Sequence, residues 1–493
     1  MARIDEQILI AGGILLVAVA SAVATRRARF PLLITFLGLG MLLGSEGIGG
    51  IYFDDAELAR SIGIVGLIAI LFEGGLTTEW RDVRPVIGPA SLLSSLGVVV
   101  TMLVTGAAAH VVFDLSWTES FLLGAVVGST DAAAVFSTLK FTRLRRRLAS
   151  VLAAESGLND PTAVAFTLGF IAWIEARGYG VGDLAALLVR QLGLGLAIGV
   201  ALGFVASRTL PRMPTELAPF APVASVAVAA LAYGVAASAH ASGFLSVYLV
   251  ALWLGNTPMP LRRTIVTFHE GLAFLAQVVL FIVLGLLVFP SRLGPVAWSA
   301  LALTAVLVFV ARPLAVLVSV TPFGYRPREL AFLAWAGLRG AVPIVLATFA
   351  LSSHVSGSAT IFNAVFFVTL VSTLAQGMTL EPLARRLGLT TEARPFYHPP
   401  VEVAAIRALG GELLEYEVGR NDAIVGSFIR DLDIPPDAIV MLIVRDDTGI
   451  PPRGTTAVAA GDRLYILVRG EARTTVEDTI RRWEQGLTAG QRG

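Results

Sequence analysis

Residues 155–161 read Glu155-Ser156-Gly157-Leu158-Asn159-Asp160-Pro161, between the apolar stretches SVLAA (150–154) and TAVAFTLGFIAW (162–173). Two carboxylates, an amide, a hydroxyl and a proline therefore sit inside a segment that otherwise has the composition of a membrane-spanning helix. A charge at the centre of a bilayer costs about 2.5–3.5 kcal/mol on insertion scales and about 10 or more in simulations. Such residues face a cavity or a partner, and the default reading is a transport site.

The rest of the chain agrees. It has 493 residues, 55% hydrophobic and only 15% charged, with a mean hydropathy of +0.77. Soluble domains carry about 25% charge, so this composition belongs to a polytopic membrane protein. A net charge of +1 gives no electrostatic basis for binding nucleic acid. Cysteine is absent, which rules out disulfides and thiolate metal sites. Ile8 to Val23 is apolar and is followed by Arg26, Arg27 and Arg29, the pattern of a retained first span rather than a cleaved signal.

A span needs about 20 mostly apolar residues. Thirteen segments qualify, at roughly 7–25, 30–44, 60–76, 86–111, 117–138, 149–175, 183–207, 220–238, 242–256, 267–289, 295–319, 328–350 and 358–387. The loops after odd-numbered spans hold TRRAR, EWRDVR, KFTRLRRR, SRTLPR, PLRRT, GYRPRE and ARRLG, whereas those after even-numbered spans are poor in arginine. The positive-inside rule then puts the N-terminus outside and the C-terminus in the cytoplasm. Thirteen spans parse as six, a linker and six. A shift of seven helices reverses direction, so the two sixes form inverted repeats with a site near the midplane. The fifth helix of each six holds a breaking sequence: Gly128-Ser129-Thr130-Asp131 and Gly337-Leu338-Arg339-Gly340-Ala341-Val342-Pro343. Glycine and proline release backbone groups there that only a polar lining can satisfy. Two broken helices are expected to cross.

After residue 390 the character changes. Residues 391–400 (TEARPFYHPP) form a linker. Residues 401–470 read as a small soluble α/β module with strands over 412–418, 439–444 and 463–468, and turns at 446–449 and 460–462. Residues 471–493 are a charged tail with a helical stretch that frays into TAGQRG.

The ionisable residues inside the spans are Glu73, Asp131, Glu155, Asp160, Arg312 and Arg339. If two acids pair with the two arginines, up to two carboxylates remain for something positive. A monovalent cation takes oxygen ligands, and Thr130, Ser156, Asn159 and Asp160 supply them. Desolvation and a neighbouring arginine act on a carboxylate in opposite senses. Where they offset each other, a proton and a metal cation compete for one anion. A site that reorients only when occupied then exchanges one ion for the other. The expectation is a proton-linked cation transporter, with no enzymatic chemistry and no cofactor. Glu73 either lines a cytoplasmic funnel or is a satisfied buried acid. The histidines at 110, 240, 269, 354 and 398 are placed at span ends or in loops.

ESGLNDP at 155–161, STDAAAV at 129–135 and GLRGAV at 337–342 resemble the cation:proton antiporters of the NhaP and eukaryotic NHE type, a likeness that covers nearly all of residues 5–390. The resemblance implies that Asp160 carries the exchanged ion, and that Thr130, Asp131, Ser156 and Asn159 belong to the cation site. Asn159 stands where electrogenic relatives have a second aspartate, which implies one-for-one, electroneutral exchange. It further implies that Glu155 pairs with Arg312, that Arg339 compensates charge at the crossing near Asp131, and that spans 4–6 and 11–13 move against a dimerisation half. Residues 401–470, through GRNDAIVG (419–426), LDIPP (432–436) and AGD (460–462), resemble the TrkA C-terminal (RCK-C) domain, which implies pairing into homodimers and a small regulatory ligand. The combination resembles the potassium:proton antiporters linked to pH and cell-volume regulation, in a bacterial plasma membrane among its lipids. Sodium is the alternative ion. An RCK-gated cation channel and a transporter-derived sensor are the alternatives of another class.

Overall fold

Helix dominates the first of the two units into which the chain divides, Met1–Thr391; the second, Glu392–Gly493, is built on a sheet. The computed structural model describes residues 5, 9, 12–21, 32–139, 143–213, 215–259, 262–391, 411–419, 422–445, 448–469 and 472–484. The helices of the first unit are α1 (Gly12–Ser21), α2 (Leu32–Leu43), α3 (Ala56–Thr77), α4 (Trp80–Phe113), α5 (Trp117–Val126), α6 (Ala132–Thr138), α7 (Arg146–Glu175) and α8 (Val181–Thr209). They continue with α9 (Ala221–Ser238), α10 (Gly243–Gly255), α11 (Arg262–Leu286), α12 (Ala297–Phe323), α13 (Pro327–Trp335), α14 (Ala341–Ser352) and α15 (Ser358–Arg386). Among the described residues, seven helices are long and apolar enough to cross a membrane, namely α3, α4, α8, α9, α11, α12 and α15, and α1, α2, α10 and α14 are shorter apolar ones.

Two long helices are interrupted midway, and the sequence explains where. α5 starts at a capping box, with Glu119 N–H donating to Ser116 Oγ at 3.3 Å and Ser116 N–H donating to Glu119 Oε2 at 2.9 Å. It ends at Val126; after a break at 127–131, Asp131 starts α6 by accepting the Ala134 N–H at 3.1 Å. α13 starts with Pro327 in its first turn and Glu329 accepting the Arg326 N–H at 2.8 Å. It ends at Trp335, and α14 resumes at Ala341. The breaks touch: the Asp131 N–H donates to the Leu338 carbonyl at 2.9 Å.

α7, by contrast, runs unbroken for 30 residues through Pro161. The helix continues past Asp160 although Pro161 removes one N–H from its ladder. α4 and α12 each contain one π turn, Leu93–Gly97 and Leu307–Ala311. The second lies immediately before Arg312, and such a turn shifts the helical register of all that follows.

Histidine placement differs from expectation at one position. His269 lies within α11, 1% exposed, with Nε2 2.9 Å from Ser225 Oγ and its ring 4.7 Å from that of Phe72. It is a core residue there. His398 and nearly all of the expected linker 391–400 fall outside the described residues.

A short antiparallel pair, β1 (Arg143–Leu144) with β2 (Thr390–Thr391), ties the end of the first unit back to the start of α7. The second unit is a four-stranded antiparallel sheet of β3 (Gly411–Glu417), β4 (Ala438–Arg445), β5 (Thr448–Ile450) and β6 (Arg463–Arg469), in the order β3-β6-β4-β5. Alternation buries Leu464, Ile466 and Val468 of β6 with Leu414 and Tyr416 of β3 on one face. α16 (Arg473–Glu484) covers that face with Val476, Ile480 and Trp483, spaced four and three residues apart. Residues 473–484 thus form part of this core, whereas they were expected in the charged tail. β5 falls partly on residues read as a turn.

Asp462 closes the β6 end of the sheet. Arg445 donates to both its oxygens at 2.7 and 2.8 Å, and the Ala459 N–H donates at 2.8 Å. Burial alone would raise its carboxyl, but the Arg445 hydrogen bonds, the Ala459 N–H and the Arg445 charge outweigh burial and hold it below the ordinary carboxylate range. A depressed carboxylate stabilises the fold above its unfolded pKa of about 3.9, and the contribution is lost as pH falls below that value. Asp462→Asn is expected to cost about 1–3 kcal/mol, below the figure for a fully buried pair because the Arg445 side chain is 37% exposed. The measurement is hydrogen exchange: protection of β3, β4 and β6 falls in the variant at neutral pH, and the difference from the parent narrows in acid.

Candidate functional site

The two breaks and the middle of α7 enclose a cluster of buried polar side chains. At its base Arg312, 4% exposed, grips Glu155, 1% exposed, with Nη1–Oε1 at 2.6 Å and Nη2–Oε2 at 2.9 Å. Nη2 also donates to the Leu333 carbonyl at 3.3 Å. The arginine lies flat against the α13–α14 break because residue 337 is glycine; a Cβ there would stand 2.6 Å from Nε. A fork-to-fork pair in so dry a place satisfies Glu155 and removes it as a ligand.

Hydrogen bonds run outward from this pair in one direction. Thr130 Oγ1 donates to Glu155 Oε1 at 3.0 Å. Having given its proton, that hydroxyl accepts from Asn159 Nδ2 at 2.6 Å. The orientation of the Asn159 amide follows: its NH2 faces Thr130, and Oδ1 points away. Asn159 Oδ1 has no hydrogen-bond partner among the described residues, and neither has Asp160 Oδ1. Both residues are buried, at 0% and 6% exposure. Ser129 Oγ is a third buried, unpartnered oxygen. Ser156 Oγ accepts the Ala132 N–H at 3.2 Å and joins α7 to the start of α6. Asp131 Oδ1 is occupied by the Ala134 N–H.

Arg339, 1% exposed, lies at the crossing. Its Nη1 donates to the carbonyls of Gly128, at 2.9 Å, and Ser129. Among the described residues it makes no ion pair with a carboxylate. The positive charge thus faces the C-terminal end of half-helix α5, where free carbonyls and the helix dipole are negative. Of the two arginine–acid pairs considered as a condition, one is present among the described residues, and released backbone carbonyls take the second guanidinium. Glu73 stands half-buried on α3, and no hydrogen bond or ion pair joins it to the cluster among the described residues.

Three residues not singled out from the sequence complete the lining. Thr373 Oγ1 donates to the Arg339 carbonyl at 2.6 Å, and Gln376 Nε2 donates to the Trp335 carbonyl at 2.8 Å, serving the end of α13 as Arg339 serves α5. Ser94 Oγ, in the π turn of α4, reaches the Glu155 carbonyl at 3.2 Å. The available signal was the stripe Thr369, Ser372, Thr373 and Gln376, all buried on one face of α15.

Paired half-helices, a dry arginine–glutamate clamp and unpartnered buried oxygens define an ion-handling membrane protein. The chain belongs to the sodium/hydrogen exchanger family: the model of that family's transmembrane region matches residues 14–386, and the TrkA-C domain model matches residues 413–480. It is 36% identical to the K(+)/H(+) antiporter NhaP of Alkalimonas amylolytica over 95% of this chain and 82% of that protein. It is 35% identical to the K(+)/H(+) antiporter NhaP2 of Shewanella sp. strain ANA-3, over 94% and 81%. The Na(+)/H(+) antiporter ApNhaP of Aphanothece halophytica matches at 27% over 74% and 70%. Structures of the sodium proton antiporter MjNhaP1 from Methanocaldococcus jannaschii share the fold, with TM-scores of 0.65 and 0.68 at 22% and 23% identity, over 76% and 79% of this chain and 99% of each of theirs.

Removing one partner of the clamp leaves a buried charge unpaired, at a cost of about 3–5 kcal/mol. Arg312→Ala is therefore expected to collapse the yield of monodisperse protein after mild heating. Glu155→Leu combined with Arg312→Met recovers most of that yield, because neither charge then remains.

Proposed function

We propose that the protein is an electroneutral potassium:proton antiporter in which one potassium ion and one proton compete for Asp160. The observation that carries the reading is the pair of buried, unpartnered oxygens, Asn159 Oδ1 and Asp160 Oδ1. A buried acceptor without a donor is costly, and either a proton on Asp160 or a cation between the two oxygens relieves it. Arg312 neutralises Glu155, Asn159 has no charge and Asp131 is held as the cap of α6, which leaves Asp160 to exchange one charge per cycle. Asp131, the backbone of Thr130 and the hydroxyl of Ser156 complete the coordination. Glu73, outside this cluster, lines the approach.

Potassium is favoured by the relatives that match both units of the chain, which are named for it; the relative named for sodium is more distant and matches less of the chain. Sodium is the second reading. The architecture we propose is thirteen spans in two inverted sets of six. The π turns in α4 and α12, and the breaks in the helices that follow each, support that pairing. The protein sits as a homodimer in a bacterial plasma membrane, N-terminus outside, with residues 401–484 as a cytoplasmic regulatory domain for a small ligand. Its physiological effect is on cytoplasmic pH, ion content and cell volume.

The test is reconstitution into vesicles with an imposed pH gradient and no membrane potential. Potassium added outside should collapse the gradient, with sodium and lithium run in parallel. Asp160→Asn should reduce the response to that of empty vesicles while the protein remains folded; parental exchange in that variant removes Asp160 from its role. Deletion of residues 401–493 should retain turnover and alter its pH dependence. A folded truncation without turnover assigns the second unit to the transport machine itself.

A further inference from the structure

Tyr248 belongs to none of the groups described so far. It lies on α10, 4% exposed, and its ring rests on α7 at Gly157. A Cβ at 157 would overlap ring atoms Cζ and Cε2 and stand 2.6 Å from the hydroxyl oxygen. Gly157 lies between Ser156 and Leu158, three residues before Asp160, or about 4.5 Å along the helix axis. The ring thus rests on α7 within one helical turn of the residue whose carboxylate the previous section assigns to the ion.

Its side of the membrane can be read from the same contacts. The Tyr248 carbonyl lies 2.8 Å from where a Cβ on Gly75 would be, in the last turn of α3. α3 leads from there into EWRDVR, residues 79–84, and α7 begins within the arginine-rich run 143–147. Gly157 comes before Asp160 in α7, so the ring stands between Asp160 and the arginine-rich ends of both helices. By the positive-inside rule that is the cytoplasmic side.

We propose that Tyr248 closes the cytoplasmic approach to Asp160: its ring stands on Gly157 when that approach is shut and must leave Gly157 when an ion passes. The inference rests on the reading of Asp160 as the ion site. It explains the glycine, since any side chain at 157 would hold the ring away from the helix. Tyr248 acts by position and touches no ion.

The chain contains no cysteine, so one introduced thiol reports access without needing turnover. In the full-length protein carrying Ser156→Cys, reaction with a small cationic methanethiosulfonate is slow while Tyr248 or Tyr248→Phe is present. It rises about tenfold or more with Tyr248→Ala, and also with Tyr248→Leu, which leaves a smaller void. Gly157→Ala, made in the protein without the reporter, lowers exchange in vesicles, and adding Tyr248→Ala abolishes that effect of Gly157→Ala. Equal labelling with and without the ring overturns the proposal. So does a Gly157→Ala defect that persists after Tyr248 is truncated, or parental exchange by Gly157→Ala alone. Labelling that follows the ring, when the protein without the reporter exchanges no potassium, retains the closure and removes the antiporter reading.

Discussion

The bidentate bond between Arg312 and Glu155 is the constraint on which the site depends. Two full charges buried at 4% and 1% exposure tolerate no slack, so their geometry dictates that of their neighbours. Because Glu155 is satisfied, Thr130 can spend its proton on it and must accept from Asn159. Because Asn159 is turned that way, its oxygen is left with no hydrogen-bond partner among the described residues. The chain of donors runs from Asn159 through Thr130 to Glu155, and Asp160 stands outside it, paired with no arginine among the described residues. That is the electrostatic condition for proton and cation to be alternatives.

The interrupted helices serve the same end. Breaking a helix inside a membrane exposes carbonyls and N–H groups that lipid cannot satisfy. Three of the four ends have a specific partner: Arg339 for the carbonyls after α5, Asp131 for the amides of α6 and Gln376 for the carbonyls ending α13, while Thr373 holds the Arg339 carbonyl within the second break. The two breaks then bond to each other through Asp131 and Leu338. The polar residues around the crossing thus divide by role. Most hold backbone, and a few oxygens remain uncommitted.

Much of this was legible in the residues themselves, for a physical reason. Charged groups, glycines and prolines are so unfavourable in an apolar span that Asp160, Glu155, Asp131 and the glycines of 337–340 stand out wherever they occur. Roles that depend on the direction of one side chain were not legible. Arg339 reads as charge compensation at the crossing, but which backbone carbonyls take its guanidinium is visible only in the structure. Thr373 and Gln376 look like ordinary polar residues of a span until their partners are seen. The π turns have no residue signature, because an extra residue per turn is a matter of register. Residues 473–484 read as tail because their charge dominates, while the three apolar residues that dock α16 are only visible as a face.

The central claim is that binding of the metal ion displaces a proton from one carboxylate. It is tested most directly on purified protein in weakly buffered solution, by following pH as potassium is added. The account predicts release of about one proton per potassium bound, with apparent potassium affinity falling as the solution is made more acidic. Potassium binding of constant affinity from acid to alkaline pH, with no proton released, would contradict it.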